Sequence, residues 1–279
     1  MSKILLTLCI GIGFILTASG QSDDKIKGDR NVTIKQTYID AFNKIIVAED
    51  FSVEIIYNSK PSVEIETDDN LHEIILFEVK DSTLVFSSSK KITSSKKMHI
   101  TVNYSHDLKY IEVKDDGEVR SLTSLELKNT SLKTSGSARA YLNINATNFE
   151  FSSHDKSKVK LNVSADSSKI ILNDNSKTEA LINSKYVKLD MYQRADANIE
   201  GASKSCLIRT DNSSSFEGKE FTVKTCNLVS DLSSYVAIGV EENVTIDAAG
   251  NSEIYLYHEP QITINKFTGT AKLQKKETN

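Results

Sequence analysis

Phe151-Ser152-Ser153-His154-Asp155-Lys156-Ser157-Lys158-Val159-Lys160-Leu161 is followed, 19 positions on, by Ile170-Ile171-Leu172-Asn173-Asp174-Asn175-Ser176-Lys177-Thr178-Glu179-Ala180. Apolar falls on apolar, Asp on Asp, Ser on Ser and Lys on Lys. The match extends in both directions, because small residues recur every 19 positions at Ala138, Ser157, Ser176, Ala195, Ser214, Ser233 and Ser252. Six positions before them stand Leu132, Phe151, Ile170, Leu189, Ile208 and Ile246; four after stand Leu142, Leu161, Ala180, Ile199 and Leu256. Two before come Gly136, Asp155, Asp174, Gln193, Asn212 and Gly250, mostly residues that accept positive φ or bond to nearby backbone. Each unit therefore reads strand, tight turn, strand, looser return. A short unit of fixed period cannot bury its own apolar face and must stack on its neighbours.

The fold expected is all-β: a single-stranded parallel β-helix of about 19 residues per turn with an N-terminal β cap. Seven stacked units would make a rod of roughly 34 Å at the strand spacing of about 4.8 Å. Phe149, Phe151, Ile170, Leu172, Val187, Leu189, Met191, Ile208, Val244 and Ile246 would fill one wall of its core. Leu142, Ile144, Val159, Leu161, Val163, Ile182, Ile199, Ile254 and Leu256 would fill the other. Lys169, Lys188, Asp190 and Arg209 alternate with them and should face solvent.

The chain divides accordingly into a signal peptide (1–20), a flexible leader (21–30) and one domain (31–279). That domain comprises N-terminal strands and cap (31–125), the repeat rod (126–258) and a C-terminal cap (259–279). Lys3, an apolar run from Ile4 to Leu16 and Ala18-Ser19-Gly20 form the secretory signal, with cleavage near Gln21. Cys9 inside that run is a poor lipoprotein site. The run is short for a membrane span, so the expected localisation is secreted or cell envelope, in the periplasm or on the outer surface. Before the rod, strands are expected at Val32 to Ile34, Lys44 to Ala48, Ser52 to Tyr57, Ser62 to Glu66, Thr83 to Phe86, Met98 to Tyr104 and Lys109 to Val113. Asp68-Asp69-Asn70 should cap one helical turn, and Ser87 to Lys97 should be a solvated loop.

A net charge of −4, with Lys residues alternating with Asp and Glu, favours neither nucleic acid nor an anionic membrane. No nucleophile elbow, zinc-protease helix, phosphate loop or Cys-x-x-Cys is present. His72, His99, His106, His154 and His258 are scattered, so no catalytic, cofactor-binding or metal site is assigned and no cofactor is implied. Asp155 and Asp174 would lie in adjacent turns, where clustered carboxylates could serve polysaccharide cleavage or calcium; turn formation already accounts for them. Seven Asn-x-Ser/Thr triplets read as chance in a chain so rich in these residues. Cys206 and Cys226 lie 20 apart, so one extra residue enters between them and carries the small column from Ser233 to Ser234. The two thiols should stack facing inward, as a disulfide or as a pair of buried free thiols.

Several segments resemble the head GIN domain family of auto-transporter adhesins, found in secreted proteins of Bacteroidetes-type bacteria. The resemblance runs from about Val32 to Lys275. It is carried by Phe42-Asn43-Lys44-Ile45-Ile46-Val47, Ser52-Val53-Glu54-Ile55, Ser62-Val63-Glu64-Ile65, Asp69-Asn70-Leu71 and Thr83-Leu84-Val85-Phe86. The recurring Ser-Gly-x-Gly-like turn is seen at Ser135-Gly136-Ser137-Ala138 and Ala249-Gly250-Asn251-Ser252. Tyr255-Leu256-Tyr257-His258-Glu259-Pro260 is similar to the family's closing motif, with Glu259 in place of Gly. The resemblance implies a right-handed parallel β-helix at the envelope and supplies no catalytic residue.

The function expected is a non-enzymatic secreted or cell-surface adhesin-like protein, its β-helix displaying a binding surface for a glycan, protein or envelope component. The alternatives are a polysaccharide-cleaving β-helix enzyme and a purely structural envelope protein. An enzyme groove would need stacked aromatics beside its acids, and Tyr141, Tyr186, Tyr192 and Tyr255 do not fall in one column.

Overall fold

The computed structural model describes residues 24–105 and 108–277. The expected signal peptide, its cleavage point near Gln21, Cys9 and His106 lie outside the described residues. Alternation of apolar and polar residues produces six long strands, Arg139–Ser153, Lys158–Leu172, Lys177–Met191, Asp196–Thr210, Ser215–Ser230 and Tyr235–Ala248. Each pairs in parallel with the next, so Leu142 lies under Leu161 and Leu161 under Ala180. The result is a β-solenoid of about 9 turns with about 19 residues per turn. All the apolar residues assigned to its two walls are buried. Each contributes about 1.5–3 kcal/mol for a fully enclosed Val, Leu, Ile or Phe.

Two corners close each turn. At the tight one the chain passes through positive φ at Gly136, Asp155, Asp174, Gln193, Asn212, Leu232 and Gly250. The turns are themselves laddered: Lys156 donates to the Gly136 carbonyl at 2.9 Å and Asn175 to that of Asp155 at 2.8 Å. Just inside the corner there is room only for a small side chain, and Ala138, Ser157, Ser176, Ala195, Ser214, Ser234 and Ser252 are buried there. Ser233 is exposed, because the extra residue moves the inward position on to Ser234. The looser return expected at the other corner is instead a single-residue step inside a continuous strand. Pairing skips Thr147 between Ala146 and Asn148, and both Thr147 and Asn148 donate to the Lys128 carbonyl at 2.8 and 2.9 Å.

The stack also reaches further in both directions than the repeat predicts. Strands Lys44–Val47 and Ser52–Tyr57 form a full turn, and Tyr110–Val113 with Glu118–Ser121 form the next, joining in parallel to Asn129–Thr134 and Arg139–Ser153. Thr83–Ser88 and Met98–Tyr104 add a turn beyond them. Antiparallel strands then cover that end: Ile75–Lys80 on one wall, Ser62–Asp68 and Val32–Tyr38 on the other. The helical candidate is a single 3₁₀ turn, Asp69–Leu71, and the Asp68 side chain does not cap it. Its carboxylate is turned instead to the backbone N–H groups of Arg30 and Lys96, at 3.1 Å each. Part of the stretch expected as a leader, Lys25–Lys27, is a strand, and it pairs with Lys91–Ser94 in the stretch expected as a loop. At the far end, in the stretch expected as a C-terminal cap (259–279), Gln261–Phe267 and Lys272–Lys275 continue the two walls by one more turn, and no described strand pairs with their outer edges.

Among the described residues no helix is long and apolar enough to cross a membrane.

Candidate functional site

Each wall presents outward side chains in rows along the rod, one per turn at about 4.8 Å. The wall that follows the tight turn carries two rows of most interest. The first runs Glu118, Arg139, Lys158, Lys177, Asp196, Ser215, Tyr235, Glu253, Lys272. Beside it run Arg120, Tyr141, Lys160, Glu179, Asn198, Glu217, Ala237, Tyr255, Gln274.

Stacked neighbours across the rod generally neutralise one another. Lys160 meets Glu179 at 2.7 Å, Lys185 meets Asp166 at 2.7 Å, Lys272 meets Glu253 at 2.8 Å and Lys224 meets Glu242 at 3.2 Å. Asp190, expected on the solvated face, is covered by such pairing, with Lys188 at 3.4 Å and Arg209 at 3.9 Å. The row Arg139, Lys158, Lys177 departs from this rule. Its three exposed cations are direct register partners, and none forms an ion pair with a described residue. A shallow groove of about 400 Å³ runs beside Lys158 and Lys177, lined also by Tyr141, Lys160, Glu179, Asp196 and Asn198. One face of the Tyr141 ring is covered by the Arg120 guanidinium at 4.1 Å, and Arg120 is held by Glu118 at 2.6 Å.

Towards the open end the same wall turns aromatic. Tyr235 and Tyr255 rings lie 5.4 Å apart, Lys276 sits 4.7 Å over Tyr255 and Lys219 sits 5.8 Å over Tyr257. Burial and the neighbouring Glu217 push the Tyr235 hydroxyl up to about 12, and that hydroxyl donates to Glu217 at 3.2 Å. Tyr141 and Tyr255 share a row but are separated by five residues, while Tyr186 and Tyr192 lie elsewhere. Tyr235 and Tyr257 add to the outward aromatics named from sequence. Both follow the register change near Gly218, and counting from Tyr255 by two along its strand would have found Tyr257.

Asp155 accepts from the Gly136 N–H at 2.9 Å, and Asp174 accepts from the Asp155 N–H at 3.0 Å. Each carboxylate thus turns its Oδ2 to backbone, and His154 Nδ1 lies 4.0 Å from that of Asp174. Gly136, Asn212 and Gly250 occupy the same turn column. Cys206 and Cys226 are register partners, both buried, and both are free thiols. Hydrogen bonding to Cys206, together with burial, pushes the Cys226 thiol up. His72, His99, His154 and His258 do not converge. Among the described residues no group of three His, Cys, Asp or Glu could hold a metal ion.

The geometry defines a class: a parallel β-solenoid that presents ordered rows of side chains on flat walls. The family model described as "Putative auto-transporter adhesin, head GIN domain" matches residues 41–181 and 162–260, and the chain belongs to that family. The two matches overlap within the repeat, where one turn resembles the next. A crystal structure described as a putative adhesin from Parabacteroides merdae is 17% identical, with 90% of this chain and 99% of that one covered and a TM-score of 0.59. One described likewise from Parabacteroides distasonis is 19% identical over 90% and 100%, with a TM-score of 0.60. Another from Parabacteroides distasonis, described as a putative lipid binding protein, is 14% identical over 90% and 99%, with a TM-score of 0.54. Identities this low speak to the fold alone. No curated protein matches the chain.

Proposed function

We propose that this is a non-enzymatic adhesin-like protein, secreted or held at the cell envelope after removal of its leader, whose solenoid wall binds a glycan, protein or envelope component. Membership of the adhesin family supports the general role. The observation that carries the reading further is the unneutralised row Arg139, Lys158, Lys177 on a wall where stacked charges otherwise pair. A surface shaped by its own stability alone would give these cations acid partners too, as the stacked Lys169 and Lys188 have in Glu150 and Asp190. The commitment of Asp155 and Asp174 to backbone N–H groups weighs against the polysaccharide-cleaving alternative, since a general acid or nucleophile must be free to meet its substrate.

The mature chain should be retained on a glycan and matrix-protein array and release no product in a parallel polysaccharide-cleavage screen. Reproducible product release would favour the enzyme. Absence of retention on every surface would leave the structural envelope role.

A further inference from the structure

Resting on that reading, we propose that Arg139, Lys158 and Lys177 bind an acidic polysaccharide laid along the rod axis, one anionic sugar to each turn. Like charges stacked at about 4.8 Å repel, and alternate placement of acids, as in the Lys160–Glu179 pair at 2.7 Å, would remove that repulsion. Three successive turns keep it. The row is bounded by carboxylates: Glu118 below, already bonded to Arg120, and Asp196 above. The cationic strip is thus three turns long and one residue wide.

That shape selects the ligand. A nucleic-acid duplex offers phosphates on two strands and needs a broad basic face, which Glu54, Glu118, Glu179 and Asp196 on this wall would repel. A single polysaccharide chain offers one carboxylate or sulfate per unit, and hydroxyls between them. The hydroxyls suit the groove beside the row, where the Glu179 carboxylate and the Asn198 amide offer acceptors and the Tyr141 ring offers an apolar edge. The anion can be a uronic carboxylate or a sulfate ester; both are charges fixed to a sugar ring.

The test uses the full secreted chain and four immobilised probes: polygalacturonate, dextran sulfate, neutral dextran and double-stranded DNA. The variant R139Q/K158Q/K177Q is compared with K169Q/K188Q/K224Q, which removes the same charge elsewhere on the rod. Wild type should bind polygalacturonate, dextran sulfate or both, and release them as salt rises. The first variant should lose at least about tenfold in affinity, and the control should lose less than about twofold. Binding to only one of the two polyanions identifies the anion. Equal loss in both variants, preference for DNA, or no retention of either acidic glycan would overturn the proposal. Thermal melting guards against misfolding: relief of repulsion predicts a melting temperature for the first variant no lower than wild type. Retention on the wider array without polyanion binding would sink this inference and leave adhesion standing; no retention anywhere sinks both.

Discussion

Asp174 accepts a hydrogen bond from the backbone N–H of Asp155, one full turn away, at 3.0 Å, while both residues hold positive φ. Asp155 and Asp174 thus combine two properties, tolerance of left-handed backbone and a side-chain oxygen that reaches the N–H of the preceding turn. Asp174→Asn keeps both and should alter stability by less than about 0.5 kcal/mol. Asp174→Ala loses the acceptor and adds backbone strain, costing about 1–3 kcal/mol. Urea denaturation of the two variants checks the ranking. Equal damage from Asn would mean that the carboxylate charge, and not the turn, is what matters.

Leu232 sits in the same column at φ 54, with its side chain in solvent. A branched apolar residue gains nothing there, and left-handed backbone costs an L-residue roughly 1–2 kcal/mol. Leu232→Asn should raise stability by about 0.5–1 kcal/mol, read as a higher denaturation midpoint with unchanged slope. A lowered midpoint would show that Leu232 makes a contact worth more than its strain.

Much of this fold is legible in sequence because a buried wall forces like residues to recur. Leu161 must follow Leu142 and precede Ala180, so the period survives in the inward columns. The N-terminal turns hide because their order in space is not their order in the chain: Thr83–Ser88 lies beyond Lys44–Val47, which lies beyond Tyr110–Val113. Periodicity cannot report a neighbour reached by such a crossing. The tail Gln261–Phe267 hides for a different reason, since an exposed last turn need not repeat the core pattern. Outward residues are free to vary, so in sequence Arg139, Lys158 and Lys177 are three basic residues among many; only register and ion pairing distinguish them from Lys160, Lys185 and Lys224, which have acid partners.

The phase of the walls gives a direct pair of expectations. Leu161 is enclosed, and Leu161→Asp would bury an unpaired carboxylate at a cost of several kcal/mol, enough to lose cooperative melting of the rod. Lys169 on the outward face meets Glu150 at 3.7 Å in solvent, so Lys169→Ala should change stability by less than about 0.5 kcal/mol. Circular dichroism melting of both variants tests the assignment, and an unchanged transition in Leu161→Asp would refute it.

Acid should loosen the N-terminal cap through Asp68. Burial acts to raise its pKa, but backbone N–H groups of Lys96, Arg30 and Lys97 outweigh it, and the carboxyl titrates below its ordinary value. A depressed folded pKa contributes stability that is present above the unfolded value and lost as pH falls through the folded one, hence below about pH 4. Amides of Lys25–Lys27 and Lys91–Ser94 should exchange faster with deuterium at pH 3, relative to core amides, than at pH 6. In Asp68→Asn that pH-dependent difference should largely vanish. Its persistence would assign the acid response to another group.

The extra residue between Cys206 and Cys226 has a definite place, and it rests on one glycine. Register runs Asn198 to Glu217 but Gly201 to Phe221, so the additional residue lies in the bulge between Glu217 and Phe221. Gly201 stands at φ 108, where a Cβ would come within 2.3 Å of the Ile182 carbonyl oxygen in the turn before. That neighbour is backbone in a continuous ladder and cannot move aside without breaking pairs on both sides. On the other side the buried Phe221 ring occupies the inward position of the next turn, so the strand has no slack to give. Gly201→Ala should therefore cost more than about 3 kcal/mol, although it adds only a methyl group. The strain should also spread to the adjacent cysteine pair, so the buried Cys206 and Cys226 thiols should react with a thiol reagent faster in the native variant than in the native wild type. A Gly201→Ala protein that melts like wild type and keeps both thiols shielded would refute this placing of the bulge as the point where the 19-residue register is reset.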